Sequence, residues 1–183
     1  MKKIILASTS PRRALLLRML EMDYETAAPD CDETIPPEIQ PADAVRMLAI
    51  RKAENVAARY GSGEIVVAAD TLVCLMGCLL GKPRDEDDAY AMLSALSGRA
   101  HEVYTGLAVC SGGQTKAETQ MTRVFFRPLI DREIWDYIRS GVPMDKAGAY
   151  GIQDRGALFV SRVEGDFYNV MGLPLCLLSQ ILE

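Results

Sequence analysis

The chain has 183 residues, of which 49% are hydrophobic, and a formal net charge of −5 at pH 7. This length and apolar content suit one well-filled core and predict a single domain over residues 1–183. The acidic balance disfavours a general nucleic-acid binder, which usually presents a basic face, but it still allows a small polyanion in a local basic pocket.

Cysteine and histidine usage narrows the class of protein further. Five cysteines without a C-x-x-C pair and a single histidine, His101, indicate neither a disulfide framework nor a histidine-based metal cluster. The longest apolar run, Leu72 to Leu80, is far shorter than the roughly 20 residues that cross a bilayer. The first residues also lack a signal-peptide pattern. We therefore expect a cytoplasmic protein with reduced thiols and no membrane partner.

The first predicted elements are a strand, a polar turn and a helix. Ile4 to Ala7 predicts a buried strand, and Ser8-Thr9-Ser10 separates it from a helix that begins at Pro11. Arg12 and Arg13 lie in the first turn of that helix, where the helix dipole disfavours cations. Hydroxyls, free amides and two guanidinium groups in one turn favour a phosphate site. The alternative is an ordinary capped surface helix with solvated arginines.

A carboxylate and a lysine follow strands farther along the chain. Glu64 to Ala69 predicts a strand buried on both faces, and Asp70-Thr71 follows it at the edge where open α/β sheets bind ligands. Partial burial of Asp70 would raise its proton affinity, as a general base requires. The hairpin predicted from Leu72 to Leu80 leads to Lys82. An aspartate after a strand is also common in ordinary turns.

The remaining periodicities predict a mixture of helices and strands, and hence an α/β fold. Helices are expected over residues 42–60, from the acids at 85–88 to Leu96, from Asp131 onward, and after Pro174. Strands are expected at Tyr24–Ala28, in a hairpin of His101–Cys110 with Thr115–Arg127, and in a hairpin of Ala157–Val163 with Phe167–Val170. Asp131 is expected to cap its helix, and Ile134, Trp135 and Ile138 are expected to face inward.

The segment from Asp145 to Gln153 has no amphipathic period. It sets an acid, a base, a phenol and an amide on small-residue backbone that can approach a ligand closely. The acids of the proline-rich loop over residues 29–41, including Glu33, are by themselves expected on a solvated surface.

Six motifs are spread in order along the chain: Ser8-Thr9-Ser10-Pro11-Arg12-Arg13, Ala69-Asp70-Thr71, Gly81-Lys82-Pro83, His101 with Val103, Thr105 and Gly106, Asp145-Lys146-Ala147-Gly148-Ala149-Tyr150 with Ile152-Gln153, and Asn169-Val170-Met171-Gly172-Leu173-Pro174. Together they resemble the Maf family of nucleoside triphosphate pyrophosphatases. The resemblance implies an inosine-triphosphatase-like α/β fold, with a long bent mixed sheet flanked by helices and a central cleft. It also implies hydrolysis of a nucleoside triphosphate to monophosphate and pyrophosphate with Mg²⁺ or Mn²⁺, in a cytoplasmic homodimer.

The resemblance assigns roles to individual residues. Asp70 corresponds to the proton acceptor, and Glu33 joins Asp70 as a metal ligand. Lys52 and Lys82 would neutralise the triphosphate. The full set of implied substrate contacts is Ser8, Ser10, Arg12, Arg13, Lys52, Thr71, Lys82, Asp145, Lys146, Tyr150 and Gln153.

Three of these residues concern the base. Arg12, Thr71 and Gln153 resemble the branch of the family that acts on dTTP and UTP, or on modified pyrimidine nucleotides, in cleaning the nucleotide pool. A glutamine amide matches the carbonyl and N–H of uracil or thymine, although it fits other base edges as well. Val142 and Asp154-Arg155 depart from the family pattern. The first departure affects the expected position of the loop, and the second affects the expected base selectivity.

Two readings from other classes stay open at this stage. One, which the family resemblance also implies, is a nucleotide-binding regulator of septum formation without significant hydrolysis, and such a regulator would have no need of a base such as Asp70. The other is a nucleic-acid-binding module, against which the acidic charge counts.

Overall fold

The computed structural model describes residues 3–61 and 63–183. Within these ranges the strands are β1 Ile4–Ala7, β2 Tyr24–Ala27, β3 Ile65–Leu75, β4 Cys78–Leu80, β5 Ala100–Ser111, β6 Gln114–Phe126 and β7 Val160–Glu164. The α-helices there are α1 Pro11–Arg18, α2 Pro41–Ala57, α3 Glu86–Leu96, α4 Asp131–Ile138, α5 Phe167–Met171 and α6 Leu175–Leu182. The strands form one mixed sheet of order β2-β1-β3-β5-β6-β7, with β4 paired to β3. The predicted α/β class, a mixed sheet with helices, is confirmed.

The chain divides into two compact units that interleave along the sequence. The first comprises Met1–Thr71, Thr105–Gln120 and Tyr168–Glu183, and the second comprises Leu72–Tyr104 and Met121–Phe167. Strands β3, β5 and β6 contribute residues to both units. Whether the chain folds as a single domain stays a prediction.

The first unit has apolar layers on both faces of a parallel strand pair. β1 pairs in parallel with β2 and with β3, with Ile4 opposite Tyr24 and Ile65. Because successive strand residues point to opposite faces, Ile4 and Leu6 pack with α1 and α6, whereas Ile5 and Ala7 pack with α2. Strands covered on both faces explain why the predicted runs are continuously apolar.

The second unit is built from antiparallel pairs and two helices in contact. β3 pairs with β4 around Cys74, and β6 pairs with β7 around Val124. Helix α3 contacts α4. Each buries one apolar stripe at helical spacing, formed by Ala89, Leu93 and Leu96 on α3 and by Ile134, Tyr137 and Ile138 on α4.

Two expectations about element ends and one about a buried residue are wrong. β3 continues through Asp70 to Leu75, because its second half pairs with β4. Asp131 is the first residue of α4 and not its cap; the acid that bonds the preceding backbone is Glu133, which accepts from the Ile130 N–H at 3.2 Å. Trp135 is only half-buried, and Tyr137 takes the inward position.

The expected second arm of the last hairpin is a helix, α5. Gly172, at φ +104°, ends it, with its N–H donating to the Tyr168 and Asn169 carbonyl oxygens at 3.1 and 3.0 Å. A positive φ at a helix end is the usual position for glycine. No helix in the described part of the chain has the length and apolarity to cross a membrane.

Candidate functional site in the first unit and its predicted counterparts

The parallel pairing of β1 and β3 brings Ser8 and Asp70 to one edge of the sheet. The last paired residues are Leu6 on β1 and Val67 on β3. Ser8 lies two residues after Leu6, and Asp70 lies three residues after Val67. Carboxyl ends of parallel strands are where α/β sheets bind ligands. Ser8 and Asp70 are both buried. Pro11 begins α1, as predicted, and Ser10 occupies the N-cap position, although its side chain makes no cap hydrogen bond among the described residues.

Lys52 joins two carboxylates at this edge. Its ammonium donates to Asp70 Oδ1 and lies 2.9 Å from Glu33 Oε2. The side chains of Lys52 and Asp70 are 9% and 11% exposed, so the pair is held in a low-dielectric setting. The Glu33 side chain is 60% exposed and belongs to the loop before α2. Residues separated by 37 positions, Glu33 to Asp70, thus meet at one ammonium.

Arg13 connects the start of α1 to β3 and to the end of α5. Its Nε donates to the Gly172 carbonyl oxygen at 2.8 Å, Nη2 to Thr71 Oγ1 at 3.2 Å and Nη1 to Ser8 Oγ at 3.5 Å. Burial lowers the pKa of the Arg13 guanidinium, while the Asp70 and Glu33 carboxylates act in the opposite direction. The Arg13 guanidinium is therefore close enough to both carboxylates to interact with them electrostatically. Arg12, one residue earlier, is half-buried.

Thr105 is a buried member of this site that the residue assignments missed. Its hydroxyl lies 2.9 Å from Thr71 Oγ1 and donates to the Asn169 carbonyl oxygen at 2.9 Å. Thr105 thereby ties β3 to the Asn169-to-Gly172 turn that receives Arg13. The signal in the sequence was the motif containing Thr105 and Gly106.

The site residues predicted in the second unit differ in their exposure to solvent. Lys82, Asp145 and Gln153 are exposed, whereas Lys146 and Tyr150 are buried. The Gly148 N–H donates to the Gly81 carbonyl oxygen at 3.0 Å, which places the Gly81-Lys82 turn against the 147–149 turn.

The polar ends of the two buried residues contact protein atoms. Lys146 Nζ donates to Asp145 Oδ1 at 2.6 Å and also contacts the Val142 carbonyl oxygen. Tyr150 Oη lies 2.7 Å from His101 Nε2, and burial raises the pKa of the Tyr150 hydroxyl. The Tyr150 hydroxyl therefore stays protonated. That Lys146 and Tyr150 contact the substrate remains a prediction.

Glu33 and Asp70 are the residues that fit a divalent metal. Two carboxylate oxygens that contact one ammonium are close enough to share a small cation, and Mg²⁺ prefers such oxygens. Across residues 3–61 and 63–183 no group of three or more His, Cys, Asp or Glu side chains is arranged to hold a metal. The remaining ligands of a cation here would be water and phosphate oxygens, as is common for Mg²⁺.

Comparison with known proteins gives close relatives over nearly the whole chain. The dTTP/UTP pyrophosphatase of Geobacillus sp. (strain WCH70) is 50% identical over 96% of this chain and 94% of its own length. The dTTP/UTP pyrophosphatase of Carboxydothermus hydrogenoformans (strain ATCC BAA-161 / DSM 6008 / Z-2901) is 48% identical over 99% and 97%.

The solved structure of the Staphylococcus aureus Ham1 protein superposes with a TM-score of 0.57 at 14% identity, covering 99% of this chain and 98% of that one. At that identity the likeness shows the fold alone. The family model described as Maf-like protein matches residues 3–183. The chain therefore belongs to the Maf family.

Proposed function

We propose that this protein is a nucleoside triphosphate pyrophosphatase that hydrolyses dTTP and UTP to the monophosphate and pyrophosphate, removing these or modified pyrimidine nucleotides from the pool. The relatives named dTTP/UTP pyrophosphatase support the activity and the substrate. The observation that carries the proposal is the buried Asp70 carboxylate, which contacts the Lys52 ammonium and interacts electrostatically with the Arg13 guanidinium in the same unit.

In this proposal the start of α1 and its surroundings bind the phosphates. Free amides at a helix N-terminus and two guanidinium groups attract anions. Ser8, Ser10, Arg12 and Arg13 supply these groups here. Arg13 is already oriented by its bonds to Thr71 and to the Gly172 carbonyl oxygen, so little side-chain freedom is lost when a phosphate binds.

Asp70 acts as the proton acceptor. A water oxygen attacks the α-phosphorus, the bond from that phosphorus to the α–β bridging oxygen breaks, and pyrophosphate leaves with the electron pair. The Asp70 carboxylate takes the proton that the water loses. Lys52 orients the carboxylate and offsets the negative charge that accumulates around the phosphorus.

Glu33 and Asp70 would hold the divalent metal, Mg²⁺ or Mn²⁺. When bound, the metal would neutralise charge on the triphosphate oxygens. The exposure of Glu33 leaves its carboxylate free to rearrange from the ammonium toward a cation.

The family resemblance adds contacts from residues of the second unit: Lys82, Asp145, Lys146, Tyr150 and Gln153. These assignments, the homodimer and the cytoplasmic location stay predictions. Gln153, whose side chain is exposed, is the residue proposed to meet the pyrimidine base through its amide.

The test is pyrophosphate release from dTTP, UTP, CTP, GTP and 7-methyl-GTP with Mg²⁺, for the wild type and for Asp70→Asn. We expect dTTP and UTP to be hydrolysed fastest. Asn keeps an oxygen near Lys52 but cannot take a proton, so we expect kcat to fall by about 10²- to 10⁴-fold. The variant should stay folded because Glu33 still pairs with the Lys52 ammonium.

Asp87→Asn, an exposed acid in the first turn of α3, is the control and should retain wild-type activity. Full activity in folded Asp70→Asn would remove Asp70 from the role of base. A wild type that binds dTTP without releasing pyrophosphate would instead support the regulatory alternative.

A further inference from the structure

The Tyr137 hydroxyl lies at the centre of the loop that carries Gln153. Tyr137 is 1% exposed on α4, and its hydroxyl donates to Asp154 Oδ1 at 2.8 Å. The same oxygen accepts a hydrogen bond from the Gly151 N–H at 3.1 Å. One phenol therefore bonds residues on both sides of Gln153, at positions −2 and +1. Burial, and then the bond to Asp154, raises the pKa of the Tyr137 hydroxyl, so it stays a donor.

Asp154 uses its two oxygens in two directions. Oδ1 also accepts from the Gly156 N–H at 2.9 Å, which caps the short 3-10 helix Arg155–Phe159. Oδ2 has no hydrogen-bond partner in the described part of the chain, and Lys146 Nζ lies 3.8 Å from it. The residue after Gln153 is thus held by a helix cap, a phenol and an ammonium.

Two glycines allow these groups to converge. A Cβ at Gly151 would lie 2.2 Å from Asp154 Oδ2 and 2.8 Å from both Gln153 Nε2 and Lys146 Cε. A Cβ at Gly156 would lie 2.6 Å from the Gly151 carbonyl oxygen and 3.0 Å from the Tyr137 hydroxyl. The loop is therefore packed onto itself, and the Gln153 amide nitrogen lies against its backbone although the residue as a whole is exposed.

We propose that Tyr137 and Asp154 are positioning residues that fix the Gln153 amide and thereby set the discrimination among pyrimidine bases. The inference rests on the proposed function, in which Gln153 meets the base. Uracil and thymine present an N–H between carbonyl oxygens, whereas cytosine presents an acceptor and an amino group at the corresponding edge. An amide selects between these edges only when its oxygen and nitrogen are held in one orientation.

The experiment is a double-mutant cycle of Tyr137→Phe and Gln153→Ala, with kcat and KM measured for UTP and CTP. The ratio of kcat/KM for UTP over CTP should fall about 10-fold in each single variant, because a misplaced or missing hydrogen-bonding group loses selectivity. The double variant should match Gln153→Ala alone, since residues that act through one another are not additive. For Tyr137→Phe, which removes no group that touches the substrate, the kcat for saturating UTP should stay within about two-fold of the wild type, because a loss of uniform binding affects KM only.

Tyr90→Phe is the matched control. Its hydroxyl also donates to an aspartate in the same unit, Asp131 Oδ1 at 2.8 Å, but this aspartate lies on α4 and not in the loop of Gln153. Its UTP over CTP ratio should equal that of the wild type. Asp154→Asn gives a second variant should Tyr137→Phe fail to fold, and its ratio should also fall, because the amide cannot keep all the contacts of the carboxylate.

The outcomes separate the inference from the proposed function. A wild type without pyrophosphate release would overturn the proposed function, and the inference with it. A wild type that prefers UTP, together with folded Tyr137→Phe and Asp154→Asn variants of unchanged preference, would overturn the inference alone. So would additive losses in the cycle, or a loss of kcat with no change in the UTP over CTP ratio.

Discussion

Lys52 brings together the two carboxylates on which the proposed chemistry depends. Its aliphatic stem is buried with α2, and its ammonium contacts Asp70 and Glu33. Removing one member of a buried ion pair leaves an uncompensated charge and costs about 3–5 kcal/mol. Because the Lys52 ammonium pairs with two acids, neutralising either acid leaves the ammonium with one partner, and the loss of stability is smaller. This is why Asp70→Asn is a cleaner probe than a variant of Lys52.

At the residue scale, Gly106 is the glycine with the closest backbone neighbour. A Cβ there would lie 2.1 Å from the Val45 carbonyl oxygen and 2.6 Å from the Arg46 N, both on α2. Backbone cannot move aside as a side-chain end can. We expect Gly106→Ala to lower the free energy of unfolding by about 3 kcal/mol or more, measured by urea denaturation.

Gly63→Ala is the control for this prediction, because no atom of residues 3–61 or 65–183 lies within 4 Å of its Cβ position. It should change the free energy of unfolding by at most about 0.5 kcal/mol. Equal stability of the two variants would show that β5 and α2 separate without cost.

Residue roles were predictable where the residue type is unusual for its position. Arginines in the first turn of a helix and an acid within a buried strand conflict with their surroundings unless they bind something. Arg13 and Asp70 carried that signal. Tyr137 did not, since a tyrosine on an apolar helix stripe is an ordinary core residue.

At the element scale, α3 shows a complete N-terminal cap. Asp85 has extended backbone, and its side chain accepts from the Asp88 N–H at 2.8 Å. Such a cap satisfies an amide that the helix leaves unpaired. We expect Asp85→Ala to cost about 1 kcal/mol of stability, seen as a lower midpoint in urea denaturation.

The matched change is Asp87→Ala, an exposed acid within the same first turn. It removes only a favourable interaction with the helix dipole, worth a few tenths to about 1 kcal/mol. We therefore expect a smaller loss than for Asp85→Ala, and the reverse order would contradict the role of Asp85 as cap.

The prediction of secondary structure was wrong where tertiary contacts outweighed a short sequence pattern. The residues Phe167–Met171 have β-type side chains but form a helix, because the Thr122 hydroxyl donates to the Asp166 carbonyl oxygen at 2.9 Å and Gly172 closes the turn. Propensity over five residues is too weak to resist such contacts.

At the scale of the whole molecule, His101 couples stability to pH. It is 2% exposed, and burial lowers its pKa from 6.5 to about 4. The unfolded chain therefore binds more protons than the folded chain between these two values. The free energy of unfolding should fall as pH decreases through this window, by about 2 kcal/mol at pH 5 relative to pH 7 from this group alone.

The measurement is urea denaturation of the wild type and His101→Gln at pH 7, 6 and 5. Carboxylates titrate in both proteins, so the difference between their slopes reports His101. The variant should lose less stability between pH 7 and pH 5 than the wild type does. Parallel slopes would show that the folded state accommodates a charged His101.

The sequence alone determined the α/β class, the alternation of helices with apolar strands, and the residues whose charge is out of place, because these follow from local periodicity and short-range electrostatics. Only the tertiary structure decided that Lys52 lies between Glu33 and Asp70, and that Arg13 reaches Thr71 and Gly172. It also decided that Tyr137 holds the loop of Gln153. These contacts join positions 14 to 159 residues apart, and no local pattern encodes which distant partner a side chain meets.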